Sequence, residues 1–392
     1  MIKKEFFIIR KNYYLSLILH ISLKFIYKII WRLKIFRTED YGSRKIIFVG
    51  PQHLGDILFT TPAIRYLKEQ IPEISILFMI PKSGKIALKG NNNIEDTIDF
   101  EIPWFNEKEG IIINFKAFVE LVKIFKKNKP NTVINYSVDS YHRVHIAMWL
   151  AKIPNRIGYA HKGLDFLLTN CTPYHPEDML IQQILSIIGN WLNKKTYGYS
   201  LKPDYFVSSD ILLKTKKKMD SIGISFSNKI VGISPGARHN FKWPARNYTQ
   251  LCNLINANFN VDILFLGIKH DIEIFKSVQS KVKFHIYSLI DNADFEELAG
   301  ILNHINLLIT VDSGPRHLAN AIGLRNIVLR HGANLHAGLS TYIDTEILLI
   351  NDVPCSPCGK TICPIGTLDC MEGITAHRVY TEVYNILNKE LV

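Results

Sequence analysis

A chain of 392 residues with 47% hydrophobic and 21% charged side chains is too apolar to be a disordered tail. At roughly 150 residues per domain, its length predicts two domains with cores of their own. Lys and Arg outnumber Asp and Glu by 47 to 35, a formal net charge of +12, which favours an anionic partner such as nucleic acid, phospholipid or a phosphorylated small molecule.

Residues 1–44 stand apart by charge. With Lys45 included they carry eleven Lys or Arg against Glu5, Glu39 and Asp40, net +8. Most of the chain's excess charge is therefore here, and no aromatic–basic stacking motif interleaves with it, so nucleic acid is disfavoured. Between the cations run YYLSLILHISL and FIYKIIW, but Lys24 and Lys28 interrupt any stretch of about 18 apolar residues, and a spanning helix is not predicted. No small-residue cleavage site marks a signal peptide. The pattern predicts a basic amphipathic helix on an anionic membrane surface; the alternative is a helix packed on the protein.

From Lys45 onward, short apolar runs alternate with longer helical patterns, which predicts α/β architecture with parallel sheets, twice over. The first domain (45–205) reads as strands at 45–50, 74–80 and 131–136, with helices at 56–70 and 141–152. Its first strand leads into GPQHLGDILFTTPAIRYLKE. Gly50 and Gly55 have the spacing of a phosphate loop, but Asp56 takes the place of the required Lys. Neither G-x-G-x-x-G nor an acidic ribose holder follows the second strand. Triphosphatase and nicotinamide chemistry are thereby disfavoured, leaving a carboxylate at a helix start that faces the expected cleft, or that simply caps the helix.

Residues 206–228 read as the interdomain connection, with a helix inside it and Lys216–Lys218 as a solvated face. The second domain (229–392) gives strands at 229–234, 261–267, 283–289, 305–311 and 325–330, separated by helices near 246–258, 270–281, 294–303 and 314–323. Two doubly wound domains facing a cleft follow, with ligands beyond the carboxyl ends of the strands. After the first of these strands, SPGARHNFKWPARNY brings Gly236, Arg238, His239, Lys242 and Arg246 into one loop before a helix, and such a cluster suits a diphosphate. Trp243 anchors that loop by packing.

The stretch VDSGPRHLANAIG (311–323) opens a helix with Arg316 and His317 in its first turn, where a helix normally prefers anions, so a negative group is expected beside them. Ser313, Gly314 and His317 then converge with the basic loop on one diphosphate. Further on, Cys355, Cys358, Cys363 and Cys370 form C-x2-C-x4-C-x6-C within segment 355–370. Reduced, inert thiols rank first for them, structural zinc second, since the later pair lacks the short spacing of common zinc ribbons, and disulfides last if the chain is cytosolic.

Taken in order, LGDILFTTPAIRYLKEQIP, SPGARHNFKWPARNY, LFLGIKHDIEI, VDSGPRHLANAIG and CSPCGKTICPIGTLDCMEGIT resemble glycosyltransferase family 9, whose best-known members are the lipopolysaccharide heptosyltransferases, over about Lys45–Tyr380. The resemblance implies a GT-B architecture of two Rossmann-like domains, the acceptor held by the N-terminal one and the nucleotide-sugar by the C-terminal one. It implies Asp56 as catalytic base and Asp312, in the family's Asp-Ser/Thr-Gly motif, as a group orienting the sugar or the loop. It also implies that Asp271 or Glu273 holds the nucleoside ribose. One position departs: the family's phosphate-binding Lys stands two places before the Trp, where this chain has Phe241, with Lys242 next to Trp243.

The resulting expectation is an inverting glycosyltransferase that needs no cofactor and no catalytic metal. It moves a sugar, heptose from ADP-heptose by the resemblance, to a lipopolysaccharide core or related lipid-linked oligosaccharide. Such an enzyme is expected to be cytoplasmic, peripheral on the inner face of the cytoplasmic membrane. The alternatives are a relative using another nucleotide-sugar, a nucleotide-sugar 2-epimerase on the same fold, and a non-enzymatic nucleotide-binding module.

Overall fold

The computed structural model describes residues 44–50, 52–103, 111–137, 141–160, 163–236, 241–333 and 343–389, together with Ile21, Ser22, Lys24 and Phe25. Those four residues are helical and exposed; the rest of the helix predicted for 1–44 lies outside the described residues. The chain divides into two compact units, Met1–Ser200 and Leu201–Val392.

The first unit runs β1 (Lys45–Val49), α1 (Leu54–Gln70), β2 (Ser75–Ile80), β3 (Asp96–Asp99), α2 (Ile111–Asn128), β4 (Thr132–Asn135), α3 (Tyr141–Leu150), β5 (Asn155–Tyr159), β6 (Asn170–Thr172) and α4 (Leu180–Leu192). Its strands are parallel in the order β3-β2-β1-β4-β5-β6. The second unit runs α5 (Ser209–Ser221), β7 (Lys229–Ser234), α6 (Ala245–Asn258), β8 (Val261–Phe265), α7 (Ile272–Gln279), β9 (Tyr287–Ser288), α8 (Phe295–His304), β10 (Leu307–Val311), α9 (Gly314–Ile322), β11 (Asn326–Arg330), β12 (Glu346–Ile350), α10 (Asp369–Glu372) and α11 (Ala376–Lys389). Its parallel order, β12-β11-β10-β7-β8-β9, is the same once each strand is numbered within its unit. Central strands such as β10, LLITV, are buried along their whole length because helices cover both faces of such a sheet.

Several elements depart from the sequence reading. The run 283–289 pairs only at Tyr287–Ser288, because β9 is the outermost strand and has one neighbour, β8. Strands β3 (DTID), β5 (NRIGY) and β6 (NCT) carry too many polar residues to signal themselves. Pro62 lies inside α1, where it leaves the Leu58 carbonyl without its helical N–H, and the Thr61 hydroxyl donates to that carbonyl instead (2.7 Å).

The helix inside the expected connection, α5, packs on α8 in the second unit. Its lysine run is not simply solvated: Lys218 reaches Glu297 (2.7 Å), joined there by Lys214 (3.1 Å), and Lys216 lies over the Phe226 ring. Burial resists the Glu297 charge, but hydrogen bonds from Lys218, the Asp294 backbone and Lys214 prevail and hold its carboxyl down at about 2. Among the described residues no helix is long and apolar enough to cross a membrane.

Candidate functional site

In a doubly wound sheet the connections leave in opposite directions on either side of a switch point, opening a crevice at the carboxyl ends of the strands. In the first unit that point lies between β1 and β4. The loop after β1 is tied to the chain after β3 by Gln52, whose Nε2 donates to the Phe100 carbonyl (2.7 Å) while its Oε1 accepts from the Ile102 N–H (2.8 Å). Asp56 stands partly exposed in the first turn of α1, where helix dipole and carboxylate suit each other.

Beneath it, Tyr136 leaves the end of β4 fully buried, its ring pressed on Gly50 so closely that any Cβ there would run into it. The Thr60 hydroxyl donates to the Asp56 carbonyl (2.9 Å) and is also hydrogen-bonded to the Tyr136 hydroxyl. Burial pushes the Tyr136 phenol far above its ordinary range against the pull of the Thr60 hydrogen bond, and the Asp56 charge adds to the rise. The phenol therefore stays protonated and braces the turn.

In the second unit the switch point lies between β7 and β10. After β10, Ser313 occupies the N-cap of α9, but its hydroxyl donates back to the Val311 carbonyl (3.2 Å), so no side chain caps the first helical turn. Among the described residues, a Cβ added at Gly314 would meet nothing within 4 Å, so none of them imposes a packing demand for glycine there.

The negative group expected beside Arg316 is the protein's own. Arg316 is fully buried, forked onto Glu346 through Nε and Nη2 (2.7 Å each), with Nη1 on Asp312 (2.8 Å). Asn320 also donates to Glu346 (2.6 Å), and Asn326 to Asn320 (2.7 Å). Burial opposes the Arg316 charge, but Glu346 and Asp312 outweigh it and keep the guanidinium protonated. Burial likewise opposes the Asp312 charge, yet Arg316, with His317 and His331, holds that carboxyl below its usual range. His317 differs: burial, then the Arg316 charge, lower it to about 4 against the pull of Asp312. At neutral pH it is an uncharged imidazole and not a second cation.

The loop after β7 alternates inward and outward. Phe241 is buried and stacked on His331 (centroids 4.9 Å apart), and Trp243 is buried with its indole N–H on the Ile374 carbonyl (2.7 Å). Lys242, between them, turns outward with Nζ 3.5 Å from the His270 carbonyl. The phenylalanine at the family's usual lysine position is thus a core residue, and the lysine is displaced by one place.

Residues 141–368 match glycosyltransferase family 9 (heptosyltransferase). The chain belongs to glycosyltransferase family 9. It is similar to lipopolysaccharide heptosyltransferase 3 of Escherichia coli (strain K12), 25% identical, covering 68% of this chain and 77% of that one. It is also similar to lipooligosaccharide heptosyltransferase 2 of Campylobacter jejuni subsp. jejuni serotype O:6, 23% identical, covering 86% and 98%. Among solved structures it is like the family 9 glycosyl transferase of Veillonella parvula DSM 2008, with a TM-score of 0.74 at 20% identity over 88% of this chain and 98% of that one. For the E. coli ADP-heptose lps heptosyltransferase II the TM-score is 0.64 at 17% identity over 89% and 100%. The two sheets are those of a GT-B glycosyltransferase.

In this family 9 enzyme the structure sorts the remaining candidates. Arg238 and His239 lie outside the described residues. Arg246 is committed to an ion pair with Glu372 rather than to the loop. Asp271 is buried, its carboxylate accepting from the Ile268 N–H (3.0 Å) and lying so close to Gly236 that a Cβ there would approach its Oδ2 to 2.7 Å. Glu273, in the first turn of α7, is exposed.

Burial raises the Cys370 thiol, and Cys363, Cys355 and Cys358 are near enough to raise it further. Among the described residues no group of three or more His, Cys, Asp or Glu is arranged to hold a metal ion. Sequence reasoning missed Glu346, Tyr136 and Gln52. Glu346 had a signal: a carboxylate heading the apolar run EILLI must find a partner if that run is a buried strand.

Proposed function

We propose that this glycosyltransferase moves heptose from ADP-heptose, with inversion, to the core of lipopolysaccharide or a related lipid-linked glycan. The likeness to lipopolysaccharide heptosyltransferases, one of them an ADP-heptose enzyme, supports the donor and the acceptor. The observation that carries the reading is the open first turn of α9, where the Ser313 hydroxyl turns back and none of the described residues fills the space beside Gly314. A diphosphate placed there takes the Gly314 N–H, the Ser313 hydroxyl once it rotates away from the Val311 carbonyl, and an N–H of neutral His317, with Lys242, and Arg238 of the same loop, supplying charge.

In the transfer, the acceptor hydroxyl attacks the anomeric carbon as the bond from that carbon to the diphosphate oxygen breaks. The bonding pair leaves with the diphosphate, and Asp56 takes the hydroxyl proton. The growing charge on the leaving group falls to the α9 donors, so turnover is expected to persist in chelator. Asp312, held by Arg316, orients the loop and the sugar, and Glu273 takes the ribose.

We place the enzyme on the cytoplasmic face of the membrane. Ile21 and Phe25, one helical turn apart and flanking Lys24, are both exposed, whereas a helix packed on the protein would cover such a pair.

Calorimetric titration with ADP, UDP, GDP and NAD tests the reading. Selective ADP binding, lost in Ser313→Ala and His317→Ala, is expected. Selective UDP or GDP binding overturns heptose as the sugar, and no diphosphate binding overturns the transferase site.

A further inference from the structure

Helix α2 has an inner face that the fold explains and an outer face that it does not. Leu121 and Phe125 are fully buried against the first sheet, with Phe118, Val122 and Ile124 packed partly over them. By the 3.6-residue turn, the outward half should be polar. Instead it carries Ile113, Phe115 and Val119, which are 52%, 65% and 36% exposed. Among them stand exposed Lys116, Lys123 and Lys126, and the helix has a single acid, Glu120. Large apolar side chains interleaved with lysines are what an anionic bilayer recognises: the apolar groups enter the headgroup boundary and the long cationic chains reach lipid phosphates.

The position of α2 supplies the second half of the argument. After α2, the Asn131 N–H donates to the Lys45 carbonyl (3.0 Å) at the start of β1, so the helix ends at the amino edge of the sheet. Its first turns, with Ile113 and Phe115, therefore lie at the carboxyl edge. Asp56 stands at that same edge, and Gln52, four residues before Asp56, is hydrogen-bonded to Phe100 and Ile102 on the approach to α2.

We infer that the outward face of α2 is a membrane-docking surface for anionic lipid, separate from the N-terminal segment, which holds the carboxyl edge of the first sheet against the bilayer from which a lipid-linked acceptor is presented. This inference rests on the proposal that the acceptor is lipid-linked.

The test uses the full chain, sedimented with vesicles of phosphatidylglycerol in phosphatidylcholine and with vesicles of phosphatidylcholine alone. Wild type is expected to bind the anionic vesicles only. Phe115→Gln/Val119→Gln and Lys116→Glu/Lys123→Glu should each weaken that binding about tenfold or more, since one lysine at an anionic surface is worth roughly fivefold. Their thermal midpoints and ADP affinities should match wild type, because these side chains project into solvent. Turnover of a vesicle-embedded acceptor should fall with binding, while turnover of the delipidated oligosaccharide stays unchanged.

The inference is overturned if both variants bind anionic vesicles like wild type and only Ile21→Gln/Phe25→Gln abolishes binding. It is overturned equally if wild type does not bind, or if Phe115→Gln/Val119→Gln instead changes the mass seen by light scattering, which would make the face a protein contact. A wild type that binds vesicles yet never turns over the delipidated oligosaccharide would leave docking intact and refute the transferase reading.

Discussion

At the first unit's switch point, Asp56 stands partly exposed on a turn braced by the uncharged Thr60 and Tyr136. At the second unit's switch point, Asp312 is nearly enclosed and tied to the buried Arg316 guanidinium. The strand order is the same in both sheets, so topology supplies a crevice and the surroundings decide its chemistry. A carboxylate held below its usual range by a guanidinium is a weak proton acceptor, which argues against Asp312 as the base. Under the proposed function the base belongs to the first unit and the anion site to the second.

The sharpest way to break that contrast is Asp56→Asn, which should lower kcat by on the order of 10^3-fold with a nearly unchanged affinity for ADP. A comparable loss from Asp312→Asn, without any loss of stability, would reverse the assignment. Next in size is Glu346→Ala, which strips one partner from a buried guanidinium and should destabilise the protein by about 3–5 kcal/mol. A urea midpoint left unmoved would show that the network is not the anchor described.

Gly314→Ala should weaken ADP binding about tenfold, of the order of one lost charge-assisted hydrogen bond. The thermal midpoint should hold or rise, because alanine fits an open helical position better than glycine.

The pH dependence is subtler. The folded His317 lies near 4 while an unfolded histidine titrates near 6.5, so the unfolded state binds the extra proton first. Stability should therefore fall as pH drops from about 6.5 towards 4, and His317→Gln should flatten that slope. Glu297, held at about 2 in the fold, contributes stability above its unfolded value that is lost below pH 4.5. The two windows can be read separately in one series of melts. Smallest of all should be the zinc content of protein purified without chelator, well under one ion per chain; near-stoichiometric zinc would show that the four thiols close on a metal.

Much of this architecture was legible before any coordinates. Apolar runs such as KIIFV and LLITV are buried on both faces and announce themselves, while the polar edge strands DTID and NCT do not. The motif around Ser313 pointed to the start of α9, but the sequence suggested a cation exposed to a ligand where the fold buries Arg316 between two carboxylates. Glu346 lies thirty residues further along the chain, and only the pairing of β11 with β12 brings it beneath α9. The resemblance left Asp271 and Glu273 open as ribose holders; the burial of Asp271 against Gly236 depends on contact between two loops that the sequence does not display.

The most direct test of the division of labour is a paired measurement of kcat with ADP-heptose and of ADP affinity on Asp56→Asn and Gly314→Ala. We expect a double dissociation: Asp56→Asn keeps ADP affinity and loses kcat, whereas Gly314→Ala loses ADP affinity and keeps most of kcat at saturating donor. If the two variants fail in the same parameter, the assignment of base and anion to separate units is wrong.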